Sequence, residues 1–307
     1  MIKVFIDGSA GTTGLRIRER LSERKDIELM LLPDELRKDI SARAEMLNNS
    51  DISFLCLPDA AAVEAVSLIQ NPNAVVIDTS TAHRTAEGWT YGMPELSGLR
   101  EQLGSATRIA NPGCHASGFI SLVRPLVELG IIGSNTALSC YSLTGYSGGG
   151  KKMIAEYESP DRSPLLSAPR VYALPQAHKH LPEMVKLCGL EKAPVFSPIV
   201  ASYYSGMEVS VSLMREDVNG TLEDIRTAYK DYYKSGLIRY DDSTEDGFIS
   251  AAAYSGRDDM AVAAFGCDDR ITLISRFDNL GKGASGAAIQ NMNIRMGIPE
   301  DTGLVIR

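Results

Sequence analysis

Several familiar signals are missing from this chain of 307 residues, and each absence narrows what it can do. The N-terminus, MIKVFIDGSAGTTG, has no basic stretch leading into a long apolar segment and a small-residue cleavage site, so no secretory leader is expected. No apolar run is long enough to cross a bilayer, which excludes a helical membrane span. The five cysteines, Cys56, Cys114, Cys140, Cys188 and Cys267, are odd in number, scattered, and never arranged as C-x-x-C. That excludes a disulfide framework and a zinc-finger pattern, and it suits a reducing cytoplasmic compartment with thiols available for chemistry. Positive charge is the minority: 31 Lys and Arg stand against 39 Asp and Glu, a net charge of −8. A nucleic-acid surface needs a basic face, so no nucleic-acid partner is expected. The sequence has no internal repeat, no low-complexity tract and no long linker.

What is present is ordinary globular material, 44% apolar and 23% charged, in a length typical of two domains. The first third alternates short apolar runs with helical patterns. Ile2 to Ile6, Ile27 to Leu32, Ile52 to Leu57 and Ala74 to Ile77 read as strands, stopped by Asp7-Gly8, Pro33, Pro58 and Asp78. Segments around Leu15 to Leu21 and Ala60 to Ile69 read as helices. Nearly continuous apolar strands separated by helices imply a doubly wound parallel sheet, an α/β Rossmann-type domain. From about Thr136 the strands lengthen and alternate: Thr136 to Leu143, Val195 to Tyr204, Met207 to Met214, Met260 to Phe265 and Ile271 to Phe277. Helices are few there, one of them near Leu222 to Tyr233. This predicts a second α+β domain with a mixed, largely antiparallel sheet. The expected boundaries are 1–115 for the first domain and 116–282 for the second. The helical stretch from Gly283 to Arg295, in the tail of about 283–307, returns to complete the first.

Gly8-Ser9-Ala10-Gly11-Thr12-Thr13-Gly14 lies at the first strand-to-helix turn. Glycines there let the backbone approach a pyrophosphate, and the following helix N-terminus offers N–H groups and a favourable dipole. The hydroxyls of Ser9, Thr12 and Thr13 add polar contacts. The spacing is G-x-x-G-x-x-G, so position rather than pattern carries the reading. After the second strand, Asp34 and Glu35 suit a ribose hydroxyl, whereas Arg37 and Lys38 suit a 2′-phosphate. These alternatives stay open on the residues alone.

Asn111-Pro112-Gly113-Cys114-His115-Ala116-Ser117-Gly118 follows a short strand, Arg108 to Ala110, and precedes an apolar helical stretch, Phe119 to Leu129. Cys114 therefore sits at a helix start, which favours a thiolate and supplies donors for an oxyanion. The other cysteines lie in contexts that suit inert thiols. Only four histidines exist, His83, His115, His178 and His180. The His178-Lys179-His180 segment is expected to be extended, and either of its rings can meet Cys114 as the general acid–base. No cluster completes a metal site.

Taken in order, DGSAGTTG at 7–14, RKD at 37–39, DTSTAHR at 78–84, GMPEL at 92–96, NPGCHASG at 111–118, GYSGGGKK at 145–152, HKHLPE at 178–183 and DNLGKGASGAAIQNMN at 278–293 resemble the N-acetyl-γ-glutamyl-phosphate reductases, in their shorter form. The resemblance runs nearly end to end, and it extends more distantly to aspartate-semialdehyde and glyceraldehyde-3-phosphate dehydrogenases. It implies a Cys114 thioester formed from an acyl phosphate, reduced by NADPH to an aldehyde. It also implies Arg84 and Lys151 as anion contacts, and Ser147 as a donor on a flexible loop, Gly145 to Lys151. Asn279 and Gly283 would lie beside the nicotinamide, and the chain would form a homodimer or homotetramer through the second sheet. Two other readings compete: an aspartate-semialdehyde-type reductase, and a dinucleotide-binding redox sensor with no turnover.

Overall fold

In a computed structural model describing residues 1–307, the N-terminal β-branched run forms β1 (Ile2–Asp7). The chain continues through α1 (Thr12–Ser22), β2 (Ile27–Met30), α2 (Ile40–Asn49), β3 (Ile52–Leu55), α3 (Asp59–Ser67), β4 (Val75–Asp78), β5 (Thr90–Tyr91), α4 (Leu99–Ser105) and β6 (Arg108–Ala110). The six strands pair in parallel in the order β2-β1-β3-β4-β6-β5. Strand alternation sends Val4, Ile6, Ile52, Phe54 and Ile77 to one face. There they pack on Ile17 and Leu21 of α1, and on Ala288, Ile289 and Met292 of the C-terminal helix α9 (Gly286–Arg295). Phe5, Leu55 and Val76 face the other way, onto Leu47 of α2 and Ala62 and Ala65 of α3. Both faces are covered, as the apolar strands predicted. The order reverses between β1 and β3, so the crevice at their C-terminal ends is the expected ligand position.

This sheet and its helices form one compact unit, Met1–Pro112 with Ala284–Leu304; the second comprises Gly113–Gly283 with Val305–Arg307. The second unit holds α5 (Cys114–Glu128), β7 (Ser139–Gly145), α6 (Gly150–Glu158), β8 (Arg170–Val171), α7 (Leu181–Cys188), β9 (Val195–Ala201), β10 (Met207–Met214), α8 (Leu222–Tyr232), β11 (Ile238–Tyr240), β12 (Met260–Cys267) and β13 (Arg270–Phe277). Its strand order is β11-β12-β13-β10-β7-β9-β8. Only β7–β9 and β11–β12 are parallel, so the sheet is mixed and largely antiparallel, as expected. Helix α5 presses closely on it. A Cβ on Gly118 would meet Val209 at 2.4 Å and the Ser275 hydroxyl at 2.8 Å, so only glycine fits. On the opposite sheet face, Tyr141, Val195 and Met214 are exposed.

Helices are more numerous in this unit than the sequence suggested. α8 was expected, and Thr221 and Asp224 cap it reciprocally at 3.2 and 2.8 Å. α6 and α7 were not. α7 carries Pro182 in its first turn and ends at Gly189, which has φ 64°, an ordinary start and stop for a helix. The segment expected to be a flexible Gly145–Lys151 loop is instead a 3₁₀ turn, Tyr146–Gly149, running into α6.

Candidate active site

The glycine loop joins β1 to α1 in the first unit. Gly8 has φ 87°, and a Cβ there would lie 2.3 Å from the Cys56 carbonyl oxygen. A Cβ on Gly14 would lie 2.5 Å from the Gly8 oxygen. Both glycines are demanded by the protein's own packing. Gly11 differs, because its nearest neighbour would be 3.5 Å away and its φ of −71° suits any residue. It caps α1 without a side-chain hydrogen bond, and the next residue, Thr12, has a buried hydroxyl with no partner. An open glycine, an uncapped helix start and an orphaned hydroxyl together fit a phosphate-bearing ligand. Ser9 is also buried.

Arg43, which sequence reasoning missed, braces this loop from α2. Its Nε donates to Asp7 at 3.0 Å and its Nη1 to Glu64 at 2.9 Å. Burial raises the Asp7 carboxyl above its ordinary range, against the pull of Arg43. Arg37 pairs with Asp34 at 2.6 Å, its Nε is buried without a partner, and Lys38 is exposed. Arg84 is half-buried. It donates from Nε to the Asn111 carbonyl at 3.0 Å and from Nη2 to the Thr79 carbonyl at 3.1 Å, so it fastens the turn that leads toward Cys114. His83 has a different task. It bonds Asp78 at 2.6 Å and stacks on Trp89, with ring centres 4.0 Å apart.

In the second unit Cys114 is the first residue of α5, half-buried, behind an extended Gly113 that gives no side-chain cap. First-turn N–H groups have no acceptor within their own helix, so this end favours negative charge on sulfur or on an adjacent oxygen. The Gly113 N–H donates to Glu183, a fully buried carboxylate of α7, at 3.2 Å. Gly283 abuts the nucleophile, since a Cβ there would stand 2.9 Å from the Cys114 Cβ. The turn bearing Gly283 is held by Asp278, whose carboxylate accepts from Leu280 at 2.6 Å and Gly281 at 3.0 Å. Asn279 accepts from the Gly206 N–H at 2.9 Å and donates to Ser147 at 3.0 Å. Ser147 is thereby buried, whereas Lys151 is exposed.

His178 and His180 do not lie on an extended segment. They sit in the turn before α7 with their rings 4.7 Å apart, and both pack against His115, at 5.5 and 5.6 Å. His180 has helical backbone angles, φ −87° and ψ −12°, and the two rings meet edge to face. Glu183 lies 3.9 Å from His180 Nε2. His115 is buried, with Nδ1 2.6 Å from the Ser142 hydroxyl and Nε2 2.7 Å from the Tyr172 hydroxyl. Burial, then His178, pulls its pKa down to about 3, so it stays neutral. Burial, then charge at Cys114, raises the Tyr172 phenol above its ordinary range. Sequence reasoning gave His115, Tyr172 and Glu183 no role. The Glu183 spacing, three residues after His180 across a helix start, was the one readable signal among them. Of the other thiols, burial pushes Cys56 up to about 12 and raises Cys140 and Cys188 further, which suits inert cysteines. Cys267 is exposed.

Known proteins share this fold. Residues 33–106 match the semialdehyde dehydrogenase NAD binding domain, and residues 114–279 the semialdehyde dehydrogenase dimerisation domain. Aspartate semialdehyde dehydrogenase II of Vibrio cholerae has the same fold, with a TM-score of 0.72 over 97% of this chain and 98% of that one, at 16% identity. N-acetyl-gamma-glutamyl-phosphate reductase 2 of a Nostoc species is 43% identical over 98% of this chain and 99% of its own length. The reductase of Rhizobium etli is 42% identical over 96% and 98%. With its cysteine-headed helix, its glycine loop and near-complete coverage by such relatives, the chain belongs to the N-acetyl-gamma-glutamyl-phosphate reductase family.

Proposed function

We propose that this chain reduces N-acetyl-γ-glutamyl phosphate to N-acetylglutamate semialdehyde with release of inorganic phosphate, a step toward arginine, using NADPH. The observation that carries this reading is Cys114 at the head of an uncapped helix, in the unit where His115, His178 and His180 cluster. The Cys114 thiolate attacks the acyl carbon, the carbon–oxygen bond to phosphate breaks, and phosphate leaves with the electron pair. First-turn N–H groups of α5 stabilise the oxyanion. NADPH, when bound, supplies the hydride that reduces the resulting thioester. The carbon–sulfur bond then breaks, freeing the aldehyde and restoring the thiolate. The His178–His180 pair supplies hydrogen bonds and proton transfer around the reacting oxygen and sulfur.

Gly8, Ser9, Gly11, Thr12, Thr13 and Gly14 cradle the pyrophosphate, with Gly11 and Thr12 in direct contact. Arg37 and Lys38 face the 2′-phosphate, and Asn279 and Gly283 border the nicotinamide. Arg84 and Lys151 hold the substrate's anionic groups. The Ser147 hydroxyl accepts from Asn279, which leaves its own hydrogen for the substrate. No helix is long and apolar enough to cross a membrane. We place the chain in the cytoplasm as a homodimer or homotetramer, joined through the sheet face that exposes Tyr141, Val195 and Met214.

The reverse reaction tests the substrate. N-acetylglutamate semialdehyde, phosphate and NADP should give phosphate-dependent formation of reduced cofactor, and aspartate semialdehyde should give far less. Equal or greater turnover of aspartate semialdehyde would overturn the substrate. Cofactor binding with no turnover of either aldehyde would favour a sensor.

A further inference from the structure

His178 accepts a main-chain hydrogen bond that points to one of its protonation states. The His180 N–H donates to His178 Nδ1 at 3.1 Å. A nitrogen that accepts a hydrogen bond carries no proton, so this geometry belongs to a neutral imidazole with its hydrogen on Nε2. The walls reinforce that state. Its ring packs edge-on against His115 of α5 at 5.5 Å, Tyr172 after β8 at 5.9 Å and Phe196 of β9 at 5.2 Å. His115 is neutral, and both its nitrogens are engaged by hydroxyls. The nearby acid, Glu183 of α7, lies toward His180 and the Gly113 N–H. The carboxylate of this group is therefore offered to His180 rather than to His178.

The segment from Tyr172 to His178 is itself tightly fixed. Ala173 and Gln176 have φ of 52° and 56°, a left-handed conformation that is unfavourable for a residue with a Cβ. Such residues persist where surrounding contacts over-determine them. Here the Gln176 amide donates to the Phe196 carbonyl and accepts from its N–H, both at 2.8 Å. The Tyr172 N–H donates to Pro198 at 3.0 Å.

We propose that the His180 main-chain N–H holds His178 as a neutral imidazole protonated on Nε2, and that Tyr172 and His115 are positioning residues that keep the His178 ring seated against it. His178 then gives a hydrogen bond to the oxyanion at the substrate carbon and takes no proton from Cys114. The assignment rests on the reductase reading and deepens it, because it leaves proton transfer within the pair to His180.

The test is nitrogen-15 spectroscopy of the imidazole rings in the whole protein without substrate, each histidine being assigned by its replacement with Gln. His178 should show a single proton, on Nε2, from about pH 6 to 8, the range where an unconstrained histidine titrates. A proton on Nδ1, or a doubly protonated ring at pH about 7, would overturn the proposal. In Tyr172→Phe, which keeps the ring and loses the bond to His115, the single-tautomer pattern should be lost or split. An unchanged pattern would show that Tyr172 positions nothing. Because the spectra need no turnover, the predicted tautomer in a protein without reductase activity would count against the reaction and not against this assignment.

Discussion

Replacing Gly8, Gly11 and Gly14 with alanine one at a time should separate folding from cofactor binding. At Gly8, φ 87° costs an alanine roughly 1–2 kcal/mol. A methyl 2.3 Å from the Cys56 carbonyl adds overpacking of roughly 1–3 kcal/mol, because the backbone there cannot swing aside. The sum is about 2–5 kcal/mol, a melting temperature lower by roughly 3–8 °C for a chain of 307 residues. Gly14→Ala meets the Gly8 oxygen at 2.5 Å in ordinary helical geometry and should cost roughly 1–3 kcal/mol. Gly11→Ala has room and an allowed φ, so only the weaker helix cap is lost, at most about 1 kcal/mol. Its methyl nevertheless occupies the space assigned to the pyrophosphate. NADP affinity should fall at least tenfold, roughly 1.4 kcal/mol, in protein that melts near the wild-type temperature. Thermal melts and equilibrium titration with NADP read the two effects separately. Wild-type affinity in Gly11→Ala, or a wild-type melt in Gly8→Ala, would refute the reasoning.

Further expectations follow from the second unit. His115 titrates at about 3 when folded against 6.5 when exposed, so the unfolded chain binds the extra proton. Its contribution to stability is whole above 6.5 and is lost as pH falls toward 3, at about 1.4 kcal/mol per pH unit. Between about pH 7 and pH 5 the wild type should lose roughly 2 kcal/mol that His115→Asn keeps, measured by urea denaturation; equal losses would contradict the assignment. Ser275 has a fully buried hydroxyl with no partner, so Ser275→Ala should raise stability by about 1 kcal/mol. A loss of stability there would show a hydrogen bond to that hydroxyl. Gly283→Ala puts a methyl 2.9 Å from the Cys114 Cβ and should alter the alkylation rate of Cys114 severalfold. An unchanged rate would mean that the turn yields.

The parts of this structure that are local in sequence were legible in it. Ile2 to Ile6 followed by glycines reads as a buried strand and a tight turn, because burial on both faces needs only β-branched residues and the turn needs only missing side chains. Cys114 at a helix start could likewise be read from a Pro-Gly turn before an apolar run. α6 was hidden because it opens on glycines, Gly148 to Gly150, that suggest a loop. The Pro182 that starts α7 stood inside what looked like an extended histidine pair. The partnership of Tyr172 with His115 joins residues 57 apart, and that of Asn279 with Ser147 joins residues 132 apart. No period or propensity encodes such pairings; tertiary packing decides them.

The central claim is that Cys114 takes the acyl group before any hydride arrives. Mixing the protein with N-acetyl-γ-glutamyl phosphate in the absence of dinucleotide, with phosphate release and peptide mass measured together, tests it most directly. The account predicts a burst of about one phosphate per chain and an N-acetylglutamyl mass on the peptide containing Cys114, both abolished in Cys114→Ser. A missing burst in protein active in the complete reaction, or the acyl mass on another residue, would contradict it.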